Sequence, residues 1–164
     1  MSQDLKDPAL KSLQGYLWRA GYEAGALRCP LFADVAPCMR AWCAAGLRIA
    51  IYSSGSVAAQ NLLFQHTNAQ PEPDLRGLIE AYFDTVTAGP KTHVASYQRI
   101  VQSLSCMRAA ECLFLSDNVA EVDAARDAGL QARLVVREGN VPVGDEVKER
   151  LAAVTSFEEL QITS

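Results

Sequence analysis

The sequence is 164 residues long, room for one domain and too short for a two-domain enzyme. Hydrophobic residues make up 49% and charged residues 21%, which excludes a disordered chain. The net charge of −4 argues against non-specific binding to nucleic acid or to anionic membranes, though not against a local cationic site.

The opening MSQDLKDPAL has no apolar core, so no signal peptide is expected. Leu10, Leu13, Leu17 and Ala20 recur at helical spacing and predict a first helix ending near Gly21 or Gly25. Asp34 is placed to cap a helix from Val35 to Ala45 that stops at Gly46. Leu47 to Tyr52 reads as a buried strand, followed by Ser53-Ser54-Gly55-Ser56, with Ser56 capping the helix VAAQNLLFQH. Thr67 to Asp74 is a polar, proline-bearing surface loop. A short helix over 74–82 and a strand over 83–87 follow, closed by Gly89-Pro90. Val94, Tyr97, Ile100, Val101 and Leu104 form the clearest apolar helical stripe. A strand over 112–115, a helix over 119–128, a strand over 132–136 and a break over 138–145 complete the pattern. Short apolar strands alternating with helices imply an α/β fold, doubly wound, with a mostly parallel, Rossmann-like sheet.

In such sheets ligands bind beyond the carboxyl ends of the strands. The polar groups expected there are Ser53 and Ser54, Lys91, and Asp117 with Glu121 and Asp123 behind it. Hydroxyls and helix-start N–H groups suit an anion, lysine adds a point charge, and a carboxylate suits Mg²⁺. The set describes Mg²⁺-assisted phosphoryl chemistry. Each group also has a plain structural role open to it: a tight turn at S-S-G-S, a solvated Lys91, Asp117 as helix cap, and Glu121 and Asp123 as first-turn acids. His66 and His93 read as surface or helix-end residues, and the aromatics Trp18, Tyr22, Phe32 and Trp42 as core. The five cysteines are odd in number and include no C-x-x-C pair, so they read as reduced, mostly buried thiols of an intracellular protein. With only two histidines, neither at ligand spacing, a zinc site is not expected.

Several runs together carry a resemblance. LKSLQGYLWRAGYEAG (10–25), FADVAPCMRAW (32–42), IYSSGSVAAQNLLFQH (51–66), YFDT, GPK and ASY (82–97) and LFLSDNVAEVDAARDAG (113–129) resemble the acireductone synthases. VVREGN (135–140) and TSFEEL (155–160) extend the likeness. These are the enolase-phosphatases of methionine salvage, within the haloacid-dehalogenase superfamily. The resemblance implies Mg²⁺-dependent enolisation and dephosphorylation of 2,3-diketo-5-methylthiopentyl-1-phosphate. It implies that Ser53 and Ser54 bind the phosphoryl group and that Lys91 is both catalytic and substrate-binding. It makes Asp117 a metal ligand, with Glu121 supporting that ligand. It also implies a cytoplasmic protein (in a eukaryote also nuclear) that is a monomer, with no nucleic-acid or membrane partner.

One family feature has no counterpart. The superfamily nucleophile is an aspartate on the first strand, in the sequence D-x-E-G-T, and no such sequence occurs among these 164 residues. The resemblance thus divides the chain into a helical-cap remnant, 1–31, and a core, 32–164, without its first central strand. Two inner strand edges and an apolar slot should then lie open, available to strand exchange. Little or no activity is expected of the chain alone, as a truncated form or a short paralogue. Asn118 also departs, standing where the family commonly has an apolar residue. The alternatives are a related phosphatase of different substrate and a non-catalytic module that binds a partner strand.

Overall fold

The computed structural model describes residues 20–22, 24–25, 27–105, 108–160 and 162. The helix expected over 10–20 lies outside them, apart from its last residue, and so do the first 19 residues of the expected cap remnant and Cys106.

Helix α1 (Val35–Ala44) buries Ala36 and Met39 and ends where Gly46 adopts φ +82°. Asp34 precedes it but makes no side-chain cap bond, contrary to the sequence expectation. Its carboxylate is taken instead by Arg137, Ser156 and Phe157. Strand β1 (Ala50–Ser53) begins three residues later than expected, and Ser56 caps α2 (Val57–Gln65) through the Ala59 N–H. The polar 67–74 stretch is a loop, though Thr67 and Ala69 are buried in it.

The helix expected over 74–82 is only one 3₁₀ turn, Arg76–Leu78, and strand β2 (Ala81–Asp84) starts inside that range. It starts two residues before the expected strand and stops at Asp84, three before the expected end. The Asp84 carboxylate accepts the N–H groups of Val86 and Thr87 and folds the chain back. Helix α3 (Val94–Ser103), strand β3 (Leu113–Ser116), helix α4 (Val119–Asp127) and strand β4 (Gln131–Leu134) match the predicted elements within two residues. A further helix, α5 (Asp145–Arg150), has too little apolar periodicity to be read from sequence.

β1 pairs with β2 and β3 with β4, all in parallel. The fold is the expected α/β arrangement. β1 and β3 are not paired with each other, so among the described residues each has one edge without a strand partner. Between them lies a cavity of about 430 Å³. Ile51 and Leu113 line its walls, Met39 and Trp42 one face, and Ile100 and Leu104 the other. The open apolar slot expected from the sequence is thus present. Around it, one core gathers Tyr97, Val122, Ala125, Leu134 and Leu151, and a second gathers Met39, Leu75 and Ile79.

Candidate active site

The loop after β1 is held from below. Ser53 Oγ accepts the Gly55 N–H (3.2 Å), and the buried Gln60 donates to Gly55 O (2.8 Å) and Phe83 O (2.9 Å). Asp84, opposite Ser53 in register, joins this loop to the next. It accepts from Thr87 N–H (2.8 Å), the Thr87 hydroxyl (2.9 Å) and Val57 N–H (3.2 Å). The Thr87 N–H, opposed by burial and aided by the other donors, holds the Asp84 carboxyl below its usual range.

The turn that carries Lys91 is fastened by three hydroxyls. Tyr52 donates to Gly89 O (2.6 Å), Ser96 to Pro90 O (2.8 Å) and Tyr97 to Lys91 O (2.6 Å). Burial, with Glu121 and Tyr52 nearby, pushes the Tyr97 phenol far above its usual range, so it remains a neutral donor. Gly89 has φ +107°, and a Cβ there would stand 2.6 Å from Ser96 Oγ. From this turn Lys91 Nζ reaches Glu121 Oε2 at 2.5 Å, and the buried Ser116 hydroxyl donates to the same oxygen at 2.7 Å.

Asp117 follows β3 and is exposed. It does not cap α4. Asn118 does, accepting the N–H groups of Ala120 (3.0 Å) and Glu121 (3.3 Å). Asn140 Nδ2 donates to Asp117 Oδ2 at 3.0 Å. Lys91 and Asp117 open onto one pocket of about 310 Å³, whose wall also holds Asn140, Arg137, Phe32 and Phe157. Arg137 is ion-paired to Asp34, with its guanidinium carbon 4.8 Å from the Phe32 ring centroid and 5.4 Å from that of Phe157.

The structure therefore brings Lys91 and Asp117 together. Ser53 and Ser54 sit at the end of neighbouring β1 but do not line this pocket. Glu121 does not reach Asp117, contrary to the role assigned to it; its largely buried carboxylate is taken up by Lys91 and Ser116. Asp123 pairs with Arg150 (2.6 Å). Among the described residues no three His, Cys, Asp or Glu side chains converge. One available carboxylate, Asp117, suits Mg²⁺ as a single protein ligand, since that ion accepts one or two carboxylates with water and phosphate oxygens. Sequence reasoning missed Asp84, Ser116, Arg137 and Asn140. Asp84 carried the same signal as Asp117, an acid closing an apolar strand; Asn140 carried none, because its partner is distant in sequence.

A haloacid dehalogenase-like hydrolase profile matches residues 7–129. The chain is 57% identical over 160 residues to the enolase-phosphatase E1 of Pyricularia oryzae and 55% identical over 166 residues to that of Chaetomium globosum. Each match covers 98% of this chain and 69% of the relative. The crystal structure of the UTR4 protein of Saccharomyces cerevisiae superposes with a TM-score of 0.85 at 41% identity, covering 96% of this chain and 69% of that one. The L-2-haloacid dehalogenase RSc1362 shares the fold, with a TM-score of 0.62 at 21% identity.

Proposed function

Because the chain belongs to the haloacid dehalogenase-like hydrolases, and within them to the enolase-phosphatases, we propose that it serves methionine salvage. Its site binds 2,3-diketo-5-methylthiopentyl-1-phosphate for enolisation and dephosphorylation to an acireductone. The carrying observation is that Lys91, after β2, and Asp117, after β3, face one pocket. The Lys91 ammonium has three N–H donors, and the recorded pair with Glu121 leaves others for phosphate oxygens. The Ser53 and Ser54 hydroxyls offer further donors at the end of neighbouring β1. Asp117 would hold Mg²⁺, which when bound offsets phosphate charge as a Lewis acid. Residues 1–31 belong to a cap and 32–164 to the core, in a cytoplasmic monomer.

Phosphoryl transfer in this family needs an aspartate nucleophile, and no D-x-E-G-T sequence is present in the chain. These 164 residues therefore bind the phosphorylated diketone without turning it over at a useful rate. Calorimetric titration with a non-hydrolysable phosphonate of the substrate tests the binding. Lys91→Ala should abolish the heat signal, and phosphate release from the true substrate should match an Asp117→Ala control. Binding that is indifferent to Lys91, or Mg²⁺-dependent turnover well above that control, would overturn the reading. A second reading, a non-catalytic module taking up a partner strand, is favoured by the open edges of β1 and β3. It requires a stable complex or dimer that forms without metal.

A further inference from the structure

Asp117 is set apart from its neighbours by what does not neutralise it. Asn118 performs the helix capping that a carboxylate at this place would otherwise do. Of the cations in the pocket wall, Lys91 is drawn to Glu121 and Arg137 to Asp34. The recorded partner of Asp117 is the side-chain amide of Asn140, at 3.0 Å. An amide donor orients a carboxylate without cancelling its charge, whereas lysine or arginine in that place would compete with a metal ion.

Asn140 is itself rigidly placed. Its Oδ1 accepts the Arg137 N–H at 2.6 Å, and its own N–H donates to Arg137 O at 3.1 Å. The first bond settles which end of the amide is the oxygen, so the NH₂ must face Asp117. Gly139, at φ +89°, closes this four-residue turn. The turn follows β4, and Arg137 at its root is held by Asp34 and lies over Phe32 and Phe157. The support therefore runs from Asp34, just before α1, and the 156–157 segment through Arg137 to Asn140. It ends on an exposed acid 23 residues away in sequence from its donor.

We propose that Asn140 is a positioning residue for Asp117: its amide fixes one carboxylate oxygen so that the other faces the pocket, charged and ready for a divalent cation. The inference rests on Asp117 as the cation-binding acid. An unrestrained exposed aspartate would sample several staggered rotamers, and supporting bonds to metal ligands are typically worth about 10- to 100-fold in metal affinity.

Two measurements on the 164-residue chain test it. The first needs no metal: NMR couplings between Asp117 Hα and its β protons should report one rotamer in the natural chain and averaging in Asn140→Ala. Asn140→Asp retains an acceptor for the Arg137 N–H but loses the donor. It should average likewise while the Arg137 N–H stays protected from exchange, which separates loss of the donor from collapse of the turn. A single rotamer persisting in both variants overturns the proposal. The second uses Mn²⁺, followed by the paramagnetic resonance of the free ion. Asp117→Ala should abolish binding and Asn140→Ala weaken it about tenfold, with the metal-free melting temperature unchanged. Equal affinity in Asn140→Ala overturns the proposal. Mn²⁺ binding indifferent to Asp117 would instead overturn the reading of the site, and the rotamer result would still decide the role of Asn140.

Discussion

Lys91 Nζ lies 2.5 Å from Glu121 Oε2, which ties the loop after β2 to the first turn of α4. Their side chains are 20% and 13% exposed. The pair stands between surface pairs, worth under about 1 kcal/mol, and fully buried ones, where loss of one partner costs about 3–5 kcal/mol. Glu121→Ala is therefore expected to lower stability by about 2 kcal/mol in urea denaturation. It should also weaken phosphonate binding, because the ammonium loses its anchor. The double change Lys91→Met with Glu121→Leu should recover most of the stability and none of the binding. If the single variant is as stable as the natural chain, the pair contributes nothing to folding.

The Asp34 carboxylate gives stability a defined pH dependence. Burial raises its pKa, but Arg137, the Phe157 N–H and the Ser156 hydroxyl together outweigh that and hold it below the ordinary value. The unfolded chain then binds the proton at higher pH than the folded chain. The stabilisation is fully present above the unfolded carboxyl's pKa of about 3.9 and is lost as pH falls through the lower folded value. Asp34→Asn should be less stable than the natural chain at neutral pH, with the gap closing below about pH 4. Denaturation midpoints across that range check it, and a gap that stayed constant into strong acid would mean that the carboxylate charge is irrelevant there.

Gly89→Ala should be one of the costlier glycine changes. The residue is at φ +107°, and the new Cβ would meet Ser96 Oγ at 2.6 Å. Backbone strain and the displaced Ser96 bond to Pro90 O together suggest a loss of about 2 kcal/mol. Because Lys91 is two residues on, phosphonate affinity should fall as well. A melting curve and one titration suffice, and unchanged affinity would separate the turn from the placing of Lys91.

The open edges of β1 and β3 are visible to hydrogen exchange. Ile49 O accepts from Glu80 on the β2 side, while Cys112 O and Ser116 O accept from Gln131 and Val135 on the β4 side. Successive residues alternate direction along a strand. The N–H groups of Ala50, Tyr52, Leu113 and Leu115 therefore face the slot. In the chain alone they should exchange about 100-fold faster than those of Ile51 and Phe114. A peptide that occupied the slot would protect the first set selectively. Uniform protection in the chain alone would mean that the edges are already paired.

Much of this architecture is readable along the chain because it rests on local chemistry. Apolar runs of four or five residues, the Ser56 cap and the glycine stop at Gly46 report their own neighbourhood. The misreadings share one cause. Asp34 was read as a cap because caps are local, yet its partners are 103 to 123 residues away. Glu121 was read as support for Asp117 because the two are near in sequence. The tertiary structure offers it a cation from another loop and a hydroxyl beneath it instead. The 74–82 segment looked helical by composition, but the pairing of β2 with β1 claims its last residues.

The sequence by itself determined the order of strands and helices, the family, the absence of a D-x-E-G-T sequence, and which polar residues stand at strand ends. The elements and strand-end residues follow from periodicity and residue type, and the family from the resemblance of whole runs; neither needs knowledge of neighbours in space. Only the tertiary structure decided that Lys91 and Asp117 share a pocket while Ser53 and Ser54 stand outside it. It alone decided that Glu121 serves Lys91 and that Asn140 serves Asp117. A hydrogen bond or ion pair requires atoms within about 3 Å. Such proximity, between groups 23 or 30 residues apart, exists only after the strands have chosen their neighbours.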